Sequence, residues 1–447
     1  MDKVLEICKK HKKAILAIFL LVIFCYYLIW TISQPFNTCP DEGMKWDICK
    51  YIAEHNSIPD GREESIRNPI WGISYAFQPI LTYIVGAIFV KIASIFTTDQ
   101  FALVVSARLV STISMTLAIY FVIKIADKLF EKKEIYKYLF ITIIAFQPIT
   151  AFLASYINND TTAILSITMI IYLWILGLKS NWKTKYCILL GLAIGFCALT
   201  YYNAYGYILC SVIICLISTI LNKMKVKDII QKAIIVSFVA FVVAGWWFIR
   251  NAVIYDGDIL GASTQNEYGD KYAMEEYKPS TRKTPQNSGE SLWNMLHQDE
   301  WIITTAKSFV GMFGYHSIVM SNKIYFSYFL IWTIGGIGCI LKFKELFAYK
   351  KEEKDKYLLN YIFVISILIP IALSIMYSYT SDFQPQGRYI MGIIVPFTYF
   401  LVNGIEAVLE KVIKSQKIKM IILILLITLI LLISYKAIFS YVIPTYK

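Results

Sequence analysis

The feature that most restricts this chain is a series of apolar runs, each long enough to cross a bilayer, separated by short clusters of lysine. The first, Ile15 to Ile32, carries no charge at all. A helix needs about 20 apolar residues to traverse a hydrocarbon core of about 30 Å, where every backbone polar group must be satisfied within the segment. A chain of 447 residues that is 57% hydrophobic cannot hide many such runs in a water-soluble core. The expected fold is therefore an all-α polytopic membrane protein.

The lysine clusters count the crossings. They lie at the N-terminus and at 128–137, 179–185, 223–232, 342–356 and 411–419, and positive loops stay in the cytoplasm. The net charge of +12 is thus spread between spans, which argues against nucleic acid as a partner. About eleven spans follow, near 14–33, 101–126, 139–155, 161–178, 186–200, 204–221, 231–252, 324–341, 358–378, 389–409 and 420–441. The segments 78–96 and 301–318 are also apolar, but crossing there would strand lysine clusters outside. Both are expected to lie in the outer interface. The chain then reads as a single transmembrane domain, 1–447, with outer loops at 34–100 and 253–323 and no separate soluble domain. Its N-terminus is expected in the cytoplasm, and no cleaved signal peptide is expected, because the first run lacks a small-residue cleavage site. The nine cysteines show no metal-binding spacing; whether Cys39 and Cys49, in one outer loop, pair is left open.

The polar groups with chemical potential sit on the outer face. In "NTCPDEGMKW", Asp41 and Glu42 stand at the exit of the first span. Thr38-x-x-Asp41 fits a capping box and Pro40 suits a first helical turn, so a cap and a catalytic base are both open readings. Neighbouring side chains on a helix point about 100° apart, so the two acids cannot both face one small site. Asp160, preceded by Asn159, heads a span and is likewise a cap or an acid. Arg250, in "GWWFIRN", is an interfacial anchor or an anion ligand. Arg388, in "QPQGRY", is the lone basic residue of a short outer turn, where the charge rule disfavours it; Gln386 and Tyr389 flank it as supporting groups. Carboxylates suit deprotonation of a hydroxyl, and guanidinium suits a phosphate. A reaction at a membrane surface that needs both is sugar transfer from a polyprenyl phosphate.

On these residues the chain resembles the membrane-embedded glycosyltransferases of the GT-C class, such as protein O-mannosyltransferases and aminoarabinose transferases. The shared features, in order, are "CPDE", the apolar-proline start "FQPILTY", the "SARLVST" span with Arg108, the second-loop acid in "NND", and the late "QGRY". The departures are a single proline, Pro79, where relatives show a pair, no soluble C-terminal domain, and "WWFIR" in place of the oligosaccharyltransferase "WWDYG". The resemblance implies that Asp41, with Glu42 and Asp160, works as base or helps bind acceptor and any metal, while Arg388 and Arg250 bind the lipid phosphate. It implies transfer of one sugar from an undecaprenyl-type donor to a hydroxyl of an extracellular glycan, lipid or protein, on the outer face of the cell membrane; inverting and retaining routes are both open, and a direct displacement, which needs one base only, favours inversion. A divalent cation stays open. The outer histidines His55, His297 and His316 are scattered, so a metal would rest on carboxylates. The rival readings are a lipid-linked saccharide flippase or transporter and a polysaccharide polymerase or ligase. Transporters place charges mid-span and repeat internally; the spans here are free of charge apart from Arg108 and chain ends. The acids at the exit of the first span favour the transferase over the ligase.

This topology is open to single-cysteine labelling in a background freed of native cysteines. An impermeant maleimide is expected to reach positions 270 and 283 from outside and to miss position 133; outside labelling at 133 would overturn the interfacial placement of 78–96.

Overall fold

The computed structural model describes residues 11–447. Among them, nine helices are long and apolar enough to cross a membrane: Lys12–Ser33, Gln100–Leu129, Asp160–Lys179, Tyr202–Leu221, Val226–Ile254, Asn322–Leu341, Lys351–Thr380, Gly387–Val412 and Gln416–Thr445. The chain is a multi-pass, all-α membrane protein. The other two expected crossings are shorter pieces. Thr184–Ala198 has 15 residues. The 139–155 stretch is broken into Glu134–Phe146 and Pro148–Leu153, because Gln147, held extended ahead of a proline, ends the first piece.

The two segments expected in the interface are also short. Leu81–Ala93 has 13 residues, about 20 Å of helix, too short for the hydrocarbon core. The 301–318 segment is helical only over Trp301–Gly311; it then turns into a two-stranded ribbon, with Met312 opposite Val319 and Phe313 opposite Ile318. A second short helix, Glu42–His55, packs beside Leu81–Ala93.

The helix beginning at Asp160 is the axis of the bundle. Of its apolar window 83% is buried, against 17% for Val226–Ile254, whose exposed Phe238, Phe241 and Val253 face outward. Gln100–Leu129 lies along it on one side and Thr184–Ala198 on another. The basic clusters gather at one end of the bundle, where Lys133 and Lys342 both reach Glu406, at 2.5 and 2.8 Å, and Lys137 reaches Asp127 at 3.3 Å. Asp41, Asp160 and Arg388 lie at the opposite helix ends, so charge balance and candidate chemistry are separated along the bundle axis.

One crossing depends on glycine. Helix Asn322–Leu341 meets Ile394–Val412 so closely that a Cβ on Gly338 would lie 1.8 Å from the Gly404 carbonyl oxygen. The obstacle is backbone and cannot rotate away. Gly338→Leu is therefore expected to cost more than the ~1–3 kcal/mol of ordinary overpacking. Gly336→Ala, with nothing within 4 Å, is expected to be neutral or stabilising by up to about 1 kcal/mol. Thermal unfolding in detergent distinguishes them, and equal midpoints would contradict this crossing.

Candidate active site

Asp41 and Glu42 diverge as the helical geometry requires, and each meets a different arginine. Asp41 stands at the N-cap of Glu42–His55 in a left-handed conformation, φ 61°, and its side chain caps nothing. Thr38 likewise donates backwards, to the Pro35 carbonyl at 2.9 Å, so no capping box forms. The Asp41 carboxylate instead accepts from Arg388 Nη2 at 2.9 Å and lies 3.8 Å from the Lys45 ammonium, one turn along its own helix.

Glu42 turns inward. Arg108, from helix Gln100–Leu129, grips it through two parallel bonds, Nε to Oε1 at 2.7 Å and Nη2 to Oε2 at 2.8 Å, with both side chains fully buried. The Asn37 amide (3.0 Å) and the Ile157 amide (3.3 Å) also donate to Glu42. Arg108 spends its remaining hydrogens on the carbonyls of Thr31, Gln34 and Pro35 at 2.7–3.0 Å. One guanidinium thus ties together the end of the first span, the outer loop and the helix behind Asp41, while Glu42 pins the 154–159 turn that delivers Asp160.

Asp160 is buried at the head of its helix, and the cap there is Asn158, whose side chain accepts from the Thr161 amide at 3.1 Å. Asn159 faces away, toward the Thr200 carbonyl. Arg388 is held by Gln386, which accepts from Nε at 2.6 Å, and by the Tyr389 hydroxyl at 3.0 Å. Gly387 is required by packing: a Cβ there would lie 2.1 Å from the Phe309 amide nitrogen of helix Trp301–Gly311. Arg250 is elsewhere. It donates to the Pro59 carbonyl at 2.8 Å and lies over Trp247 at 5.1 Å, fastening the first outer loop.

The structure therefore brings together Asp41, Asp160, Arg388, Gln386 and Tyr389, and sets Glu42, Asn159 and Arg250 apart in supporting positions. Two cavities open on Asp41, one of them also on Gln386, Arg388 and Tyr389, while Asp160 lines neither. One, of about 640 Å³, is lined by Tyr75, Arg282, His316, Arg388 and Tyr389; the other, of about 570 Å³, by Asn37, Asp47, Asn68 and Gln100. Asp41 lines both, between Trp71 and Tyr315. Burial alone would raise the Asp41 pKa, but the Arg388 and Lys45 charges outweigh it and hold the carboxyl below its usual range, ionised at neutral pH. Burial lowers the Lys45 pKa, partly opposed by Asp41.

Residues 44–397 match the family model described as "Predicted membrane protein (DUF2142)". The chain belongs to that family. It matches no curated protein. Among solved structures it is similar to ArnT from Cupriavidus metallidurans bound to undecaprenyl phosphate, with TM-score 0.51 and 15% identity over 92% of this chain and 62% of that one. It is also similar to the oligosaccharyltransferase AglB from Archaeoglobus fulgidus in complex with an inhibitory peptide and a dolichol-phosphate, with TM-score 0.55 and 13% identity over 96% of this chain and 56% of that one. A complex of the Archaeoglobus fulgidus oligosaccharyltransferase with Zn and sulfate aligns with TM-score 0.57 and 13% identity over 93% of this chain and 52% of that one. The fold is that of the GT-C glycosyltransferases, and this DUF2142 chain spans between half and two thirds of the length of these structures.

Two residues of the site escaped the sequence reading. Lys45 was legible in principle: it lies four residues after Asp41, on the same helical face, in a loop where lysine is disfavoured. Arg282 lines the larger cavity but sits in a polar stretch, "YKPSTRKTPQNSGES", that gives no local cue. Cys39 and Cys49 are free thiols.

Breaking the buried pair on one side leaves an uncompensated charge. Arg108→Met is expected to destabilise the protein by roughly 3–5 kcal/mol, and pairing it with Glu42→Met to recover much of that loss. Unfolding midpoints of the two single variants and the double variant test this; simple additivity would mean the pair is not the tie described.

Proposed function

We propose that this chain is a polyprenyl-phosphate-dependent glycosyltransferase that moves a single sugar to a hydroxyl of an extracellular acceptor on the outer face of the cell membrane. The observation that carries the reading is the Asp41–Arg388 contact of 2.9 Å at the junction of the two cavities. It couples a group that takes protons to a group that binds phosphate. Two structural neighbours, one bound to undecaprenyl phosphate and one to a dolichol-phosphate, lend support to a lipid-phosphate donor at this fold.

The donor enters the larger cavity with its phosphate against Arg388, and the acceptor hydroxyl reaches Asp41 through the smaller one. The acceptor oxygen attacks the anomeric carbon, its proton passes to Asp41, and the bond from that carbon to the phosphate oxygen breaks. The departing lipid phosphate gains negative charge, which the guanidinium stabilises in a weakly screened setting. One displacement with one base inverts the anomeric centre. Asp160 adds negative charge near the electron-poor sugar carbon, and Glu42 acts by positioning Asp41. Arg250 acts through the outer loop it fastens, not on the phosphate.

Asp41→Asn is expected to abolish transfer from a synthetic polyprenyl-phosphate sugar; the amide still accepts from Arg388 and faces Lys45, and the unfolding midpoint separates loss of the base from loss of the fold. Arg388→Lys is expected to lose about 10–100-fold in rate and Arg388→Ala about 10²–10³-fold, with weaker binding of free lipid phosphate. Turnover by Asp41→Asn at the parental rate would reject the base, and parental donor binding by Arg388→Ala would reject the phosphate clamp.

A further inference from the structure

A divalent cation bound by carboxylates is the one group the sequence left open, and the side chains present fit it poorly. Hard cations take six or more oxygen ligands. Both Glu42 oxygens are held by Arg108, and one Asp41 oxygen by Arg388. No group of three His, Cys, Asp or Glu among the described residues could hold a metal ion. What remains is Asp160 and one oxygen of Asp41, with the Lys45 ammonium in the same enclosure.

Lys45 is an unusual group to find there. Its side chain is 3% exposed, lies 3.8 Å from Asp41, and is roofed by the rings of Tyr75 at 5.3 Å and Tyr156 at 5.9 Å. Tyr156 belongs to the turn leading into Asp160, the same turn that Glu42 holds through the Ile157 amide, so the lysine is enclosed between the helix carrying Asp41 and the approach to Asp160. A buried ammonium is costly unless anions face it, and Asp41 does so most strongly, with Asp160 and Glu42 behind it and Arg388 opposing.

We propose that the Lys45 ammonium is the built-in cation of this site, holding Asp41 and Asp160 together where other carboxylate sites use a divalent metal, so that the protein works without one. This rests on the reading of the site given above. Lys45 is a positioning residue: buried behind Asp41, 3.8 Å from its carboxylate, it balances two acids that would otherwise repel each other. A metal bound to Asp41 would meet the ammonium that lies 3.8 Å from that carboxylate, in a buried setting where the repulsion is only weakly screened. Removing the amine leaves the two acidic side chains without that cation.

The test is to swap one cation for the other. Wild-type turnover is expected to be unaffected by EDTA. Lys45→Ala is expected to lose about 10²–10³-fold in EDTA and to recover at least about tenfold with Mn²⁺, and Lys45→Arg to stay independent of metal. Electron paramagnetic resonance of Mn²⁺ with the purified proteins gives a readout independent of turnover. Bound Mn²⁺ is expected in Lys45→Ala, but not in wild type or in Lys45→Ala with Asp160→Asn. Lys45→Met, which preserves volume, serves if the alanine variant does not fold. Mn²⁺ held by wild type and lost with Asp160→Asn overturns the proposal, as does a folded Lys45→Ala or Lys45→Met that neither binds Mn²⁺ nor is rescued by it. If no lipid-phosphate donor is turned over at all, the sugar-transfer reading fails while the resonance result still decides the cation.

Discussion

The structure depends on a buried ion pair between Arg108 and Glu42. Arg108 sits fully enclosed in helix Gln100–Leu129 and makes five hydrogen bonds: two to Glu42 and three to the carbonyls of Thr31, Gln34 and Pro35. An unpaired guanidinium at that depth would be prohibitive, and an unpaired glutamate equally so. Together they satisfy the carbonyls left open where the first span ends, which the chain cannot satisfy with a helical continuation. They also fix the direction in which the next helix starts. Because Asp41 precedes Glu42 by one residue, fixing Glu42 inward sends Asp41 outward into the cavities. The acid proposed as the base is aimed by its neighbour's buried ion pair.

The fold's architecture was written plainly in the sequence because its determinants are additive and local. Eleven apolar runs and six lysine clusters point to the all-α class and the approximate spans, nine of which are helices long enough to cross among the described residues. The misjudged details come from backbone chemistry at single positions: Gln147 before Pro148 breaks one span, and the 301–318 segment ends in a ribbon. The site was legible in outline only. Asp41, Asp160 and Arg388 could be singled out as charges in unfavourable places, but whether Asp41 was a cap or a free carboxylate turned on one φ angle. Glu42 and Arg250 could not be separated from their neighbours by type or spacing, since what sets them apart is a partner 66 residues away and a carbonyl 191 residues away.

Asp41, Glu42 and Asp160 stand with Arg108, Lys45 and Arg388 in one cluster of three acidic and three basic side chains, with Asp47 and Arg282 farther out on the cavity walls. Within it the pairs are unequal. Glu42–Arg108 is saturated on both sides and walled off from the cavities. Asp41–Arg388 is a single contact at the junction of two chambers, 26% and 8% exposed on its two sides. Only the second pair can be opened by a ligand without exposing an uncompensated charge.

That inequality answers an apparent contradiction in using Asp41 as a base. A carboxylate beside two cations is held below its usual pKa and has little affinity for a proton. The same guanidinium that weakens the base, however, is the one an incoming phosphate would recruit. As Arg388 turns from Asp41 to the donor, the carboxylate loses its strongest charge partner, and each ~1.4 kcal/mol of attraction lost raises its pKa by about one unit. Lys45 stays in place and limits the rise, keeping the acid ionised. In the proposed reaction Asp41 would gain proton affinity when the leaving group is seated, and water entering an empty site would meet a base too weak to activate it. A single arginine shared between the proposed base and the donor phosphate would make the order of events part of the electrostatics.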